Sequence, residues 1–303
     1  MTADGDTQGS RIRALFENTE DDVSIIAPFI KIDALRSLLK VVPSGIHLRC
    51  VTRWLPEEVA IGVSDPEILD LLEERGNFSL TLVDRLHAKL YIAGDRCLVG
   101  SANVTLAGLG EGGDSNNIEI LVDTTIDAPG VAETLEEISN TERPATRAGA
   151  QLIRLLADRL TVSASSTVAI EISWFPISRR PQAAYLFYTQ PPNEYIKAAD
   201  RILLDDLARA NLQPDLEEDE FRSAIRSLLQ TIPIAESFLE MTEDTTLTFA
   251  DTHSYFKEIA GDQFSDKELW LAFVEWMAHF FNDQVMRQEI TEIALRRAQI
   301  LIQ

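Results

Sequence analysis

Short apolar runs of period two alternate with segments whose apolar residues recur at helical spacing over residues 20–125, and this pattern constrains the fold more than anything else in the chain. Residues 23–27 (VSIIA) form one such run and end at Pro28; Ile32, Leu35, Leu38 and Leu39 then share a helix face. Residues 46–53 (IHLRCVTR) alternate again. Asp65-Pro66 reads as an N-cap with proline at the first helical position, Ile68, Leu69, Leu71 and Leu72 as the apolar face, and Gly76 as the stop. Phe78, Leu80 and Leu82 alternate with Ser79 and Thr81. Residues 90–92 and 97–99 read as a hairpin around Gly94-Asp95, and residues 118–122 complete at least five strands. Strands and helices in this order predict an α/β layer structure, a mixed sheet covered by helices.

The remainder of the chain reads differently. The segment 139–150 (SNTERPATRAGA) is polar, contains a proline, and marks a boundary, giving domains of residues 1–145 and 146–303. Residues 167–174 and 183–188 are expected to pair as a β-hairpin around PISRRPQ. Beyond Pro191-Pro192 the pattern is helical, with Phe221, Ile225, Leu228, Leu229 and Ile232 on one face. Ser265-x-x-Glu268 is a capping-box pattern that opens a broad apolar helix carrying Leu269, Trp270, Phe273, Trp276, Met277 and Phe280. A last helix is expected over residues 283–302, so the second domain is predicted to be mostly α-helical.

Charge limits what such a chain can bind. The formal net charge is −22, spread as −12 over residues 1–150 and −10 over residues 151–303. A surface this acidic repels polyanions at long range and excludes a broad, sequence-independent coating of DNA, which needs a basic footprint; a local basic cleft remains compatible with it. No run of about 18 uncharged apolar residues is present, and the N-terminus lacks the basic-then-apolar order of a signal peptide, so no membrane partner is expected. Cys50 and Cys97 are too few for a disulfide framework or a thiolate metal cluster and are expected as buried thiols in a reducing cytoplasm.

The chemistry is concentrated in HAKLYIAGDRCLVGSAN, from His87 to Asn103. His87 and Lys89 stand two apart in a strand-like run, which places them on one face, and an imidazole beside an ammonium suits an anionic phosphorus centre. The following strand ends in Gly100-Ser101-x-Asn103: the glycine lets the backbone approach a ligand, and Ser101 and Asn103 offer neutral donors. Glu119 opens the next strand and is placed to accept a hydrogen bond from His87 and fix its tautomer. Arg53, at another strand end, is read either as a phosphate ligand or as an ion-paired arginine.

This stretch resembles the phospholipase D superfamily motif, H-x-K-x4-D-x6-G-S-x-N, and the similarity spans roughly residues 20–125. The form is most similar to the nuclease-like branch, which accompanies helicases, restriction systems and phage defence. The resemblance implies a phospholipase D-like mixed sheet with helices on both faces, and a metal-independent phosphodiesterase without cofactors. It implies that His87 forms a phosphohistidine, that Lys89 and Asn103 bind the phosphate oxygens, that Ser101 and Gly100 support that site, and that Glu119 orients His87. The family aspartate belongs at position 94, where this chain has Gly94; Asp95 lies one residue late and fits the turn instead.

The family uses two His-x-Lys pairs, and of the four histidines here only His87 is followed by x-Lys, so a homodimer with a composite site is expected. His47, His253 and His279 have no companion motif and read as structural or surface residues, Trp270 and Trp276 as core, and residues 215–220 as a solvated acidic helix start. The leading expectation is a nuclease acting on nucleic acid, DNA before RNA. A lipid phosphodiesterase of the same superfamily is the runner-up within the class. The alternative from another class is a scaffold whose acidic, aromatic-rich second half binds an ATPase or helicase.

Overall fold

A computed structural model of the protein describes residues 7–165, 174–191, 198–260, 264–289 and 293–297. The chain forms two compact units, residues 1–157 and 158–303. The first contains α1 (Gln8–Phe16), β1 (Val23–Ile26), α2 (Ile32–Leu39), β2 (Leu48–Thr52), α3 (Pro56–Ala60), α4 (Ile68–Arg75), β3 (Phe78–Leu82), β4 (Leu90–Ala93), β5 (Arg96–Gly100), α5 (Leu106–Leu109), β6 (Leu121–Thr125), α6 (Pro129–Thr141), β7 (Arg143–Pro144) and the start of α7 (Arg147–Ser165). Its seven-stranded sheet has the order β6-β5-β4-β1-β2-β3-β7. β1, β2 and β3 are parallel and joined through helices, whereas β4, β5, β6 and β7 pair antiparallel with their neighbours. The sheet is therefore mixed, as the alternation predicts.

Both faces are covered, which explains why the central strands read as almost unbroken apolar runs. Neighbouring residues point to opposite sides: Ile25, Cys50, Tyr91 and Leu98 pack with α1, α2, α4 and α7, while Ile26, Val51, Leu90, Ile92 and Cys97 pack with Val131 and Ile138 of α6. Cys50 and Cys97 are free and buried, and burial pushes their thiols up to about 12 and about 11.

Two local expectations change. Asp65 does not cap α4, which begins at Ile68; its carboxylate reaches across to α2, accepting from the Ile32 N–H at 2.9 Å and from Lys31 Nζ at 2.5 Å. The segment read as a domain boundary belongs to the first unit, because Arg143 and Pro144 pair with β3 and α7 sends Ile153 and Ala157 into the same core.

The second unit continues α7 and contains α8 (Ala184–Thr189), α9 (Ala198–Ala210), α10 (Glu218–Gln230), α11 (Pro233–Glu240), β8 (Thr246–Leu247), α12 (Phe249–Ala260), α13 (Asp266–Phe280), β9 (Val285–Glu289) and β10 (Ile293–Arg297). It is mostly helical around an aromatic core in which Phe256, Phe273, Trp270 and Trp276 are buried, with Trp174 edge-on to Trp276 at 5.5 Å. Ser265 is the N-cap of α13 but makes no side-chain capping bond.

The expected hairpin is not formed from residues 183–188, which lie in α8 and the turn before it; residues 166–173, most of its first arm, lie outside the described residues. The last helix is also corrected: β9 and β10 pair antiparallel, with β8 on the far side of β10. Val285, Ala294 and Leu295 become buried in this arrangement, and the Trp270 indole donates to the Ile293 carbonyl at 3.2 Å. Tertiary burial thus overrides the helix propensity of the Glu, Gln and Arg residues around them.

Asp65→Ala removes both the cap on α2 and the tie to Lys31. Urea unfolding is expected to show a loss of about 1–2 kcal/mol, the range for a lost N-cap; a loss below about 0.3 kcal/mol would show that α2 does not depend on Asp65.

Candidate active site

The site is assembled where β4 begins and β5 ends. Leu90 stands opposite Val99, so the residues just before β4 and just after β5 lie at the same end of the sheet. The Gly100 N–H donates to the Lys89 carbonyl at 3.2 Å, tying the two halves of the motif together. Asp95 lies exposed in the turn at the opposite end of this pair, about 13 Å away by strand rise.

Gly100 is required for the next step. A Cβ there would fall 1.9 Å from the Ile120 carbonyl oxygen, so only glycine lets the segment preceding β6 close in. Ser101 N–H then donates to the Ile120 carbonyl, and the Ile120 N–H donates to Ser101 Oγ, each at 3.0 Å. The strand expected at residues 118–122 begins only at Leu121, and residues 116–120 are a linking segment outside the sheet.

His87 and Lys89 also lie outside the strand, since β4 starts at Leu90. They do not share a face in the expected way: Lys89 is buried, at 7 % exposure, and His87 is exposed. The Lys89 ammonium curls back to donate to the His87 carbonyl at 2.8 Å. The His87 imidazole makes no hydrogen bond or ion pair among the described residues and is open to a ligand. Burial first, and then the Arg53 charge, lower the Lys89 pKa from the usual lysine range, with Glu119 opposing the shift. Those interactions place Lys89, Arg53 and Glu119 within one electrostatic neighbourhood.

Glu119 makes no hydrogen bond to His87. Its carboxylate accepts from the Ser101 hydroxyl and, at 3.0 Å, from Asn117 Nδ2. The register explains why: the segment carrying Glu119 runs into β6, which pairs with β5, so Ser101 just after β5 is its neighbour, while His87 precedes β4, one strand further in. Asn103 follows in a segment fixed by the Tyr91 hydroxyl, which donates to the Ala102 carbonyl at 2.8 Å, and by the Ile30–Val104 bridge. Its Oδ1 is buried and has no hydrogen-bond partner among the described residues.

Arg53 is ion-paired. Its Nε donates to Glu58 at 3.0 Å, Nη2 donates to the same carboxylate, and Nη1 donates to the Leu86 carbonyl at 2.9 Å. The guanidinium also lies over the Phe29 ring, 5.4 Å from its centre. Three of its five N–H groups are used, leaving two for a ligand.

Several supports carry no sequence signal. Gln8 Nε2 donates to the Glu119 carbonyl at 3.0 Å and Arg11 to the Leu121 carbonyl at 2.8 Å, so α1 clamps the Glu119 segment from more than a hundred residues away. Gly9 lets α1 pack closely on the end of α5, because a Cβ there would lie 2.7 Å from Glu111 Oε1 and 3.0 Å from the Leu109 carbonyl oxygen. Of the remaining histidines, His47 bonds Asn77 and Ser79, His253 pairs with Asp266, and His279 packs on Phe280, all consistent with structural roles.

No protein family matches the chain, and no curated protein does. Among solved structures it is similar in part to NucT from Helicobacter pylori, at 14 % identity and a TM-score of 0.33, covering 44 % of this chain and 85 % of that one. It is similar to TrmBL2, an archaeal chromatin protein described with a novel mode of DNA binding, at 18 % identity and a TM-score of 0.30, covering 46 % and 50 %. Phosphatidylserine synthase of Haemophilus influenzae Rd KW20 is similar at 16 % identity and a TM-score of 0.35, covering 50 % and 41 %. The chain spans half or less of the last two proteins. These are partial likenesses, and no activity is carried to this chain by them.

Gly100→Ala should force the Ile120 carbonyl away and lower stability by about 1–3 kcal/mol, as overpacking does. Thermal unfolding measures it, and an unchanged melting temperature would show that the Gly100 approach is not needed.

Proposed function

We propose that the protein is a phospholipase D-like phosphodiesterase that cleaves nucleic acid, DNA before RNA, through a phosphohistidine on His87. The observation that carries this is an exposed imidazole, without a hydrogen bond or ion pair among the described residues, two positions from the buried Lys89, whose ammonium donates to the His87 carbonyl at one end of the sheet. In the proposed reaction the neutral His87 imidazole attacks phosphorus and the P–O bond to the leaving group breaks. Lys89 and the Asn103 amide hold the non-bridging oxygens as charge develops on them. The leaving oxygen takes a proton from a second, charged imidazole. That group, now neutral, accepts a proton from water as the water attacks phosphorus and the P–N bond breaks. Ser101 and Glu119 are assigned to shaping the phosphate site through their mutual hydrogen bond, and the two free N–H groups of Arg53 are assigned to a phosphate oxygen.

The second imidazole is assigned to a second copy of the chain, since no other histidine is followed by x-Lys. An apolar rim beside the site supports this assignment: Ile118, Ile120 and Val122 are 103 %, 63 % and 51 % exposed, on and just before β6, one of the two edge strands of the sheet. An unpaired strand edge and exposed apolar side chains suit a two-fold contact. Light scattering should therefore give about twice 33.8 kDa, and a monomer cleaving at full rate at every dilution would remove the composite site.

A non-catalytic scaffold binding an ATPase or helicase is favoured by one observation, the neutralisation of Arg53 by Glu58 in a chain of net charge −22. Cleavage assays separate the two. His87→Ala and Lys89→Ala should each lower turnover of labelled single- and double-stranded DNA by about three orders of magnitude or more while the fold persists, in excess EDTA as well as without it. Wild-type turnover in His87→Ala would end the phosphohistidine mechanism, and activity that vanishes in EDTA and returns with magnesium would end its metal independence.

The pH profile tests Lys89 directly. Its pKa is lowered, so the charged form is lost as pH rises at lower pH than for an ordinary lysine, and the alkaline limb of kcat/KM should fall below that range. In Lys89→Arg the residual activity should lose this limb, because guanidinium stays protonated. An unchanged limb would show that another group sets it.

A further inference from the structure

The second unit contains a groove of about 720 Å³, and we propose that it is a binding site for a nucleoside phosphate, separate from the chemistry at His87. Its volume lies within the range of small-ligand sites, about 300–1,000 Å³.

The floor is the loop of Ile177 and Ser178, fixed from beneath. Asp206 is fully buried, and its carboxylate accepts from the Ile177 N–H at 3.0 Å and the Ser178 N–H at 2.7 Å. The Trp276 indole donates to the Ser178 carbonyl at 2.7 Å, and the Trp174 indole to the Asp206 carbonyl at 2.9 Å. Backbone held by one buried carboxylate and two indoles is preorganised, so a ligand need not order it. One wall is α9, where Ile202, Asp205 and Ala208 recur every three residues on one face. The other is the start of α13, with Phe264 just before it and Glu268 in its first turn. Ile202 and Phe264 are 40 % and 42 % exposed, leaving an aliphatic and an aromatic surface open in the groove.

Three arginines meet here in a chain of net charge −22. Arg180 is paired with Asp200 and Arg209 with Asp206, but Arg179 is exposed and has no ion pair among the described residues. Asp205 and Glu268 add two carboxylates to the lining. A fatty acid would satisfy Arg179 and the apolar surfaces but would set its chain against the carboxylates. A basic peptide would satisfy the carboxylates and leave Arg179 facing like charge. A nucleoside phosphate satisfies all three: the phosphate takes Arg179, the base lies against Phe264 and Ile202, and an exocyclic amino group donates to Asp205 or Glu268.

Calorimetric titration of the full chain with AMP, CMP, GMP, UMP, inorganic phosphate and a 5′-phosphorylated single-stranded DNA octamer tests this. At least one nucleotide whose base carries an amino group is expected to bind with Kd below about 1 mM, and about ten-fold tighter than UMP, which lacks that group. Arg179→Ala should weaken nucleotide binding about ten-fold, and Phe264→Ala should weaken nucleotides while leaving inorganic phosphate unchanged. Phe264 is 42 % exposed and Arg179 is exposed, and circular dichroism checks that the variants fold; Arg179→Lys provides a gentler second variant. His87→Ala should bind as wild type does, so the outcome stands apart from any result on cleavage. Tighter binding of the octamer than of the free nucleotide would identify a strand end as the source, and equal binding a free nucleotide; both support the site if they depend on Arg179. Absence of binding for every nucleotide at millimolar concentration, or binding that survives Arg179→Ala and is lost in His87→Ala, would overturn the proposal.

Discussion

The contact between Gly100 and the Ile120 carbonyl is the constraint on which the candidate site depends. The main chain before β6 occupies the volume that a side chain at position 100 would fill, and Ser101 completes the junction with its N–H and its hydroxyl. Through Gly100 the same junction reaches the Lys89 carbonyl. Three stretches far apart in sequence, around positions 87–89, 100–103 and 119, are thereby held by backbone hydrogen bonds, which are shorter and stiffer than any path through long side chains. α1 closes the arrangement from outside by gripping the Glu119 and Leu121 carbonyls.

Electrostatics within this frame run against the chain as a whole. A net charge of −22 creates a field unfavourable to a polyanion, so any anion site must depend on local groups in a low-dielectric setting. Lys89 provides that setting: it is buried, its ammonium is anchored on the His87 carbonyl, and the lowered pKa records the cost of keeping a charge there beside Arg53. An incoming phosphate would relieve part of that cost, which is the reason the proposed reaction puts the anion at this end of the sheet. Arg53 is less available, because Glu58 and the Leu86 carbonyl already take three of its donors.

The second unit relies on aromatic packing in place of a large sheet. Trp174 meets Trp276 edge-on and Trp270 packs at a tilt against Phe273, and the buried indoles of Trp276 and Trp174 donate to the Ser178 and Asp206 carbonyls. Buried polar groups satisfied in this way lock a loop that would otherwise be free to move. The groove therefore has a stiff base, although its residues come from three separate parts of the sequence.

The sequence by itself determined elements wherever burial imposes a period: Ile25 and Ile26 point to opposite faces of the sheet in the first unit, and the faces of α2 in the first unit and α10 in the second fall where apolar spacing puts them. It also determined the residues of the motif and the turn at Gly94-Asp95, because a glycine at positive φ between two apolar runs leaves a chain few other choices. Tertiary structure decided the rest. Residues 285–289 and 293–297 carry good helix formers, yet their pairing with each other, the pairing of β10 with β8 and burial beside Trp270 make them strands. Glu119 and His87 have suitable chemistry for a hydrogen bond, but β6 pairs with β5 and not with β4, so the carboxylate goes to Ser101. Periodicity reports which face of an element is apolar; which strand lies beside which is settled only by non-local packing, and the partners of a polar side chain follow from that.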